Sequence, residues 1–201
     1  MTALIVTISL AFIGYLATYV INVRVAQRRD RLDLVTKRLS DFYGPLYIAS
    51  QAGEIMYRTF LAKMHEAKAL QPGVTPNAQE LFLDHSTLPP DEFAEWRLWQ
   101  ETIFSRIDAA REKIILENAY LITEPGTPQC LLNFVAHASA NEAMRQKWAD
   151  GDLREQEPAV PFPRDLLSYV EERYTELKAE QLELLGREAR RLRLRGRRGG
   201  G

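Results

Sequence analysis

The hydrophobic pattern of the chain opens with an uncharged stretch. Residues 2–23 contain no Asp, Glu, Lys or Arg, and Arg24 follows at once. A helix of this length extends about 33 Å, which matches a hydrocarbon core of about 30 Å. A buried core helix would show a polar stripe, and a cleaved signal peptide would begin with basic residues, and neither feature is present. We therefore predict one N-terminal transmembrane helix over residues 1–23.

Beyond this stretch, apolar residues recur at intervals of three and four, which is typical of amphipathic helices. No segment alternates with period two as strands do, so the sequence predicts an all-α fold in which the membrane helix continues into a bundle of four or five helices. The strongest soluble helix is expected from Asp91 to about Ile122. The residues expected to share its core face are Trp96, Ile103, Ile107 and Ile114.

Proline and glycine divide the chain. Gly44-Pro45 predicts a kink followed by a new helix, and four prolines make residues 71–90 a long loop that is a candidate functional surface. The predicted parts are a membrane helix, a basic amphipathic juxtamembrane helix, a helical bundle and an Arg/Gly-rich disordered tail. They cover residues 1–23, 24–43, 44–186 and 187–201, respectively.

Charge is distributed unevenly around a net value of -1. Residues 24–38 hold six basic and two acidic groups, and residues 187–201 hold seven arginines and one glutamate, which leaves -11 for residues 39–186. Basic residues concentrate on the cytoplasmic side of a span, so we predict an inner-membrane protein with its N-terminus outside and its C-terminal domain in the cytoplasm. The candidate contacts to anionic lipid are Arg24, Arg28, Arg29, Arg31, Arg190, Arg191, Arg193 and Arg195.

The acidic body argues against nucleic acid as its partner, because phosphate contacts need clustered Lys and Arg, and leaves only the basic tail for such a contact. Cys130 is the single cysteine, which excludes an internal disulfide and is expected to be a core thiol. One small-xxx-small pair, Gly14 with Thr18, could bring two spans together in a homo-oligomer. No cofactor is predicted.

Catalytic motifs are not found: the sequence has no glycine-rich phosphate loop, no Gly-x-Ser-x-Gly and no His-Glu-x-x-His. Asp84-His85 in the long loop is the pair that could orient a general base, although no nucleophile accompanies it. His137, with Asn141 one turn on, is predicted to be a satisfied core or rim histidine. Enzymatic activity is therefore not the favoured interpretation.

The segment FYGPLY is more distinctive, and it allows a wedge against the body, a hinge or a partner contact. Its candidate residues are Phe42, Tyr43, Gly44, Pro45 and Tyr47. With Leu39 and Leu46, the stretch at residues 114–122 and that at 166–185, this segment is similar to an uncharacterised group of bacterial proteins with an N-terminal span and a helical domain. The resemblance covers most of the chain and implies no activity.

Two functions follow as hypotheses. The favoured one is a non-enzymatic, single-pass scaffold, adaptor or sensor for a cytoplasmic protein. The alternative is a membrane-bound enzyme or toxic effector with its site around Asp84 and His85. A pocket that gathers these two side chains with other ionisable groups would favour the enzyme.

Overall fold

A computed structural model describes the backbone of residues 2–69 and 88–198, with side chains for residues 12–64, 66 and 88–186. The described residues contain α-helices joined by π and 3₁₀ turns, and none of them lies in a strand. The α-helices are α1 Thr2–Arg38, α2 Gly44–Ala69, α3 Pro90–Trp99, α4 Ser105–Asn118, α5 Gln129–Ala149 and α6 Leu166–Arg198. The predicted all-α bundle is confirmed.

No helix among these described residues is long and apolar enough to cross a membrane. The predicted transmembrane helix over residues 1–23 therefore receives no support from the structure. Helix α6 reaches Arg198, and so includes part of the segment 187–201 that the sequence assigns to a tail.

The junction at FYGPLY is a continuous helix. A π-helical turn, Leu39–Tyr43, connects α1 to α2, and Pro45 is the second residue of α2. Pro45 has no N–H, so the carbonyl of Asp41, four residues earlier, has no α-helical donor. A π turn, in which each carbonyl pairs five residues on, is compatible with this gap. The predicted kink and restart is thus replaced by a change of hydrogen-bond register.

A second π turn, Gln100–Phe104, divides the long helix that the sequence predicts into α3 and α4. The Ser105 hydroxyl donates to the backbone carbonyl of Glu101, one turn back. The changed hydrogen-bond register can leave this carbonyl without its usual N–H donor. The turn adds one residue, so every later side chain rotates by about 100° about the axis.

This rotation changes the core face of α4. Ile107 and Ile114 are only half-buried, so the prediction that they form the core with Trp96 is wrong. The residues that are buried instead lie one position later, and they are Phe104, Asp108, Arg111 and Ile115.

The chain divides into two compact units. The first comprises Met1–Leu39 and Thr175–Gly201, and in it α1 pairs antiparallel with the end of α6, because Thr36 contacts Gln181 and Arg28 contacts the Leu184 carbonyl. Arg31 Nε donates to Glu180 Oε1 at 2.5 Å across this pair. Among the described side chains of this unit, residues 12–39 and 175–186, the buried apolar residues are Val35, Leu39, Leu177 and Leu184.

The second unit is Ser40–Tyr174. Its apolar core joins α2, α3, the second π turn and α5. Phe60 is fully buried, with its ring centroid 5.4 Å from that of Trp96 and 6.3 Å from that of Phe104. Met144 and Trp148 of α5 complete this cluster. Such aromatic contacts bury much apolar area, so this end of the unit is held mainly by the hydrophobic effect.

Candidate functional site

A buried polar cluster lies where α2, α4 and α5 meet in the second unit. Six polar residues from these helices and the second π turn are each less than 9% exposed, and they contact one another. They are Ser50, Gln100, Asp108, Arg111, His137 and Asn141. Charged groups that are buried in proteins are normally paired and hydrogen-bonded, so each charged residue of the cluster is expected to have partners.

Arg111 is the centre of the cluster. Its Nη1 donates to Asp108 Oδ1 at 2.8 Å, and its Nη2 donates to the backbone carbonyl of Ser50 at 3.2 Å. The guanidinium also lies 5.6 Å from the ring centroid of Phe134 and 5.5 Å from that of Phe162, within cation–π range. Burial lowers the pKa of Arg111, and the carboxylate of Asp108 opposes this effect.

Gly53 makes this position of Arg111 possible. A Cβ atom built on Gly53 would lie 1.9 Å from Arg111 Nη2 and 2.8 Å from Cζ. Any side chain at residue 53 would therefore collide with the guanidinium. The glycine is required for close approach between α2 and α4.

The second oxygen of Asp108 faces α5. Oδ2 is 3.5 Å from Asn141 Nδ2 and 3.9 Å from His137 Nε2. Asn141 Nδ2 also donates to Gln100 Oε1 at 3.2 Å, which connects the cluster to the second π turn. His137 Nδ1 is 2.8 Å from the carbonyl of Val160, and because a carbonyl only accepts, Nδ1 carries a proton. The prediction that His137 is a satisfied core histidine is confirmed.

The hydrogen bonding of the cluster is incomplete within the described residues. Ser50 Oγ, Arg111 Nε and Asn141 Oδ1 are buried with no hydrogen-bond partner there. An unpaired buried polar atom costs about 1–3 kcal/mol, and buried ion pairs often add little net stability. We infer that this cluster selects one arrangement of the helices rather than increasing their stability.

The segment 151–165, between α5 and α6, covers the cluster. Side-chain N–H groups hold its backbone: Trp148 Nε1 donates to the Glu155 carbonyl at 2.7 Å, and Trp96 Nε1 donates to the Gln156 carbonyl at 3.1 Å. Phe162 then packs edge-on against His137, with ring centroids 5.3 Å apart. The cluster is therefore closed on this side.

A second polar group surrounds Tyr43, which lies in the FYGPLY segment. Glu124 Oε1 accepts a hydrogen bond from Tyr169 at 3.1 Å and lies 3.2 Å from Arg173 Nε, and the Tyr43 hydroxyl lies 3.2 Å from that of Tyr169. Burial raises the pKa of Glu124. Hydrogen bonds from the backbone and from Tyr169, together with the charge of Arg173, lower it by a larger amount, so the pKa of Glu124 lies below its ordinary value. Burial raises the pKa of Tyr169, and the hydrogen bonds and charges of Tyr43 and Glu124 raise it further.

The candidate hinge residues lie inside this region. Phe42 and Tyr43 are fully buried, whereas Gly44, Pro45 and Tyr47 are half-buried. The Tyr47 ring stacks on that of Tyr174, with centroids 4.8 Å apart and planes 9° apart. These contacts are those of a wedge that packs the helix junction against the body. A hinge or partner contact at this segment stays a prediction.

The remaining candidate residues are the proposed lipid contacts and the pair Asp84-His85. Arg24, Arg29 and Arg31 are exposed on α1, and Arg28 and Arg31 contact α6. The remaining lipid candidates are on α6, with side chains outside the described set, and they are Arg190, Arg191, Arg193 and Arg195. Asp84 and His85 fall outside the described residues. Within the described residues, no group of three or more His, Cys, Asp or Glu could hold a metal ion.

Sequence reasoning missed the Asp108–Arg111 pair. The expected core face includes neither residue, because the periodicity continues through the second π turn without the added residue. A signal was present in the sequence: Asp108 and Arg111 are three apart, a spacing that places opposite charges on one helix face.

Comparison with known proteins identifies no relative of this chain: no protein-family model, no curated protein and no solved structure matches it. The resemblance to the bacterial group with an FYGPL segment stays a prediction.

Proposed function

We propose that the chain is a membrane-anchored, non-enzymatic helical protein that holds or senses a partner protein through its second unit. The observation that carries the anchoring is the uncharged run of residues 2–23, which ends at a basic segment. A run of this length suits one span, and the basic charge after it places the remainder of the chain on the cytoplasmic side of the inner membrane.

The exposure of α1 supports this assignment. Among the described side chains of its uncharged part, residues 12–23, large apolar ones are exposed, including Phe12, Ile13 and Tyr15 at 60%, 64% and 67%. Exposed apolar surface of this extent usually contacts a membrane or another protein. The lipid bilayer is the contact that fits a stretch without any charge.

The buried polar cluster supports a role without catalysis. Asp108, Arg111 and His137 could supply acid–base chemistry, but each is buried, and Phe162 and the segment around it cover them. General acid–base catalysis needs a group within reach of substrate. A closed cluster that fixes helix positions is suited to a rigid body that presents a surface.

The outer face of α2 is a surface of this kind. Ile48 and Ile55 are 69% and 60% exposed, and Ala52 is exposed between them. Spacings of four and three put the three residues on one helical stripe, opposite the side on which Ser50 and Gly53 meet Arg111. This apolar stripe is the proposed contact for the partner protein.

The anchoring is tested by carbonate extraction of membranes that contain the full chain, with a reporter active on only one side of the membrane fused to Gly201. We expect the wild-type chain to stay in the pellet and the cytoplasmic reporter to be active. Leu16→Arg should reduce retention, since Arg costs about 2.5 to 3.5 kcal/mol at the centre of a span. Leu34→Arg is the matched control, because Leu34 is an exposed leucine of the same helix beyond the uncharged run. Full extraction of the wild-type chain would refute the anchor.

The partner surface is tested by crosslinking in cells and comparison of the captured proteins. Ile48→Asp with Ile55→Asp should abolish a crosslinked product that the wild-type chain gives. Leu132→Asp should keep it, because Leu132 is an apolar residue exposed at 49% on a different helix, α5. A product that survives the α2 substitutions would show that the partner binds elsewhere.

A further inference from the structure

The exposed apolar stripe of α2 extends beyond its two isoleucines. Steps of three and four residues continue it in both directions along one face of the helix. The six residues of this face, together the α2 seam, are Pro45, Ile48, Ala52, Ile55, Thr59 and Ala62. None of them carries a charge, and all are exposed except Pro45, which is half-buried. The seam is about 26 Å long at about 1.5 Å per residue.

The one polar side chain of the seam is already hydrogen-bonded. Thr59 Oγ1 donates to the backbone carbonyl of Ile55 at 2.8 Å. Covering the seam with apolar side chains therefore leaves no hydroxyl without a partner, and so avoids the desolvation penalty of an unpaired polar group.

The spacing of the seam indicates which kind of element fits it. Alternate steps of three and four repeat every seven residues, which is the spacing at which two α-helices pack along each other in a coiled coil. Ile48 and Ile55 lie on either side of the small residue Ala52, so a large side chain of a facing helix can enter between them. We expect the complementary element to be an α-helix with apolar residues at the same spacing.

Two basic residues flank the seam, Arg58 on one side and Lys63 on the other. Both lie at the positions beside a coiled-coil seam at which side chains of the facing helix pair. Arg58 Nε donates to Glu54 Oε1 at 2.6 Å, and Lys63 Nζ pairs with Glu95. In each pair the cation is the more exposed group, at 75% against 36% and at 56% against 27%. A helix on the seam therefore meets positive charge on both flanks.

We propose that the α2 seam binds an amphipathic α-helix of another protein, with acidic residues beside its apolar stripe. This inference rests on the proposed function, which assigns the partner protein to this face of α2. Apolar contact along the seam supplies the affinity. Carboxylates opposite Arg58 and Lys63 select the partner, because charge complementarity contributes more to specificity than to affinity.

A second copy of this chain fits the seam less well. The other flanking residues are uncharged, and they are Gly44, Ala49, Gln51 and Met56. Two copies of the seam would thus bring four basic groups and no acidic group to the flanks of one interface. In a parallel pair, Arg58 of each copy would face Lys63 of the other, and facing like charges disfavour association.

The test measures the binding of two synthetic helical peptides to the full chain in phosphatidylcholine nanodiscs. The peptides share leucines at the seam positions and differ at the flanking positions, which are glutamate in one peptide and lysine in the other. Fluorescence anisotropy gives the dissociation constant of each peptide, and empty nanodiscs correct for binding to lipid.

The seam variant combines Ile48→Asp and Ile55→Asp. Its control combines Leu116→Asp and Leu132→Asp, at exposed leucines of α4 and α5. The seam variant should bind both peptides about a hundredfold more weakly than the wild-type chain, since burial of one isoleucine is worth about tenfold or more. The control should bind them as the wild-type chain does.

The flank variant combines Arg58→Gln and Lys63→Gln. Its control combines Arg106→Gln and Lys113→Gln, which removes the same charge from exposed residues of α4. The glutamate peptide should bind the wild-type chain about tenfold more tightly than the lysine peptide, the ratio for two exposed ion pairs exchanged for two like-charge contacts. The flank variant should bind the two peptides about equally, and its control should keep the preference.

Three results would overturn the proposal. If neither peptide binds the wild-type chain, or if both bind it equally, the seam does not select an acidic helix. If the seam substitutions leave peptide binding unchanged, the peptides bind elsewhere. A dimer of the full chain in sedimentation velocity that the seam variant does not form would assign the seam to a second copy.

This proposal and the proposed function fail in different ways. If the crosslinked product in cells depends on Ile48 and Ile55 but the preference for the glutamate peptide is absent, the partner surface stands and the acidic helix is wrong. If the product survives the seam substitutions, the partner binds elsewhere and the surface given in the proposed function is wrong.

Discussion

Gly53→Ala is the substitution that tests the arrangement of the buried polar cluster most directly. The new methyl group would lie 1.9 Å from Arg111 Nη2, so the guanidinium would have to move. An arginine at a surface could rotate away at little cost. Arg111 is held by Asp108, by the carbonyl of Ser50 and by the Phe134 ring, and displacement breaks these contacts together.

The expected magnitude follows from two opposing effects. Breaking a buried ion pair costs about 3 to 5 kcal/mol, because the Asp108 carboxylate loses its partner without gaining water. Replacing a helical glycine by alanine returns about 1 kcal/mol through helix propensity. The free energy of unfolding should therefore fall by about 2 to 4 kcal/mol.

The measurement is urea unfolding of the full chain in non-ionic detergent, followed by tryptophan fluorescence. Trp96, Trp99 and Trp148 all lie in the second unit and report on it. Repeating Gly53→Ala in a background that carries Asp108→Asn and Arg111→Met removes the collision and both charges. There the alanine should be neutral or stabilising by up to about 1 kcal/mol.

Gly186→Ala is the matched control, with circular dichroism as its readout. A Cβ atom at this helical glycine of α6 meets no atom within 4 Å, so the substitution should be neutral or stabilising. If Gly53→Ala is tolerated as well as Gly186→Ala, the position of the Arg111 guanidinium is wrong. If Gly53→Ala remains destabilising in the background without Arg111, another contact is responsible.

Three further predictions concern burial and charge in the second unit. Ile115→Ala should lower the free energy of unfolding by about 2 to 5 kcal/mol, and Ile107→Ala by clearly less, because Ile115 is buried and Ile107 is only half-buried. Equal losses in urea unfolding would contradict the shifted core face. Because the folded-state pKa of Glu124 is below its usual 4.5, its contribution to stability is complete above that pH and is lost as the pH falls through the folded-state value. Glu124→Gln should therefore flatten the acid limb of the thermal midpoint, and an unchanged limb would argue against the Arg173 contact. Burial raises the pKa of Cys130 to about 11, so iodoacetamide at neutral pH should label the unfolded chain and leave the folded chain unlabelled.

The helices of this fold could be predicted from the sequence, and the rotation of their faces could not. Pro90 after Pro89 begins α3, and Gln129 after Pro128 begins α5, because proline suits the start of a helix. Periodicity then assigns a core face only as long as every turn has 3.6 residues. The π turn at Gln100–Phe104 adds one residue, and no single side chain in it signals this insertion.

The candidate site depends on that insertion. With regular turns the core face is centred on Ile107 and Ile114, Asp108 falls well outside it, and the cluster is not predicted. The burial of Arg111 also requires Gly53, which lies 58 positions away in the sequence. The contact joins residues that are distant in the sequence, and it is possible only because Gly53 has no side chain. Such a contact leaves no periodic signal. Phe42 and Tyr43 were identified as special from their unusual segment, whereas Glu124, which lies beside Tyr43, was not.

The contacts of Arg111 have a consequence for local opening. This one side chain touches α2 at Ser50, α4 at Asp108, α5 at Phe134 and the covering segment at Phe162. None of these four segments can separate from the others without exposing the same guanidinium. Amide protons in α2, α4 and α5 around the cluster should therefore exchange with solvent in a single cooperative step, with one common opening free energy, rather than helix by helix.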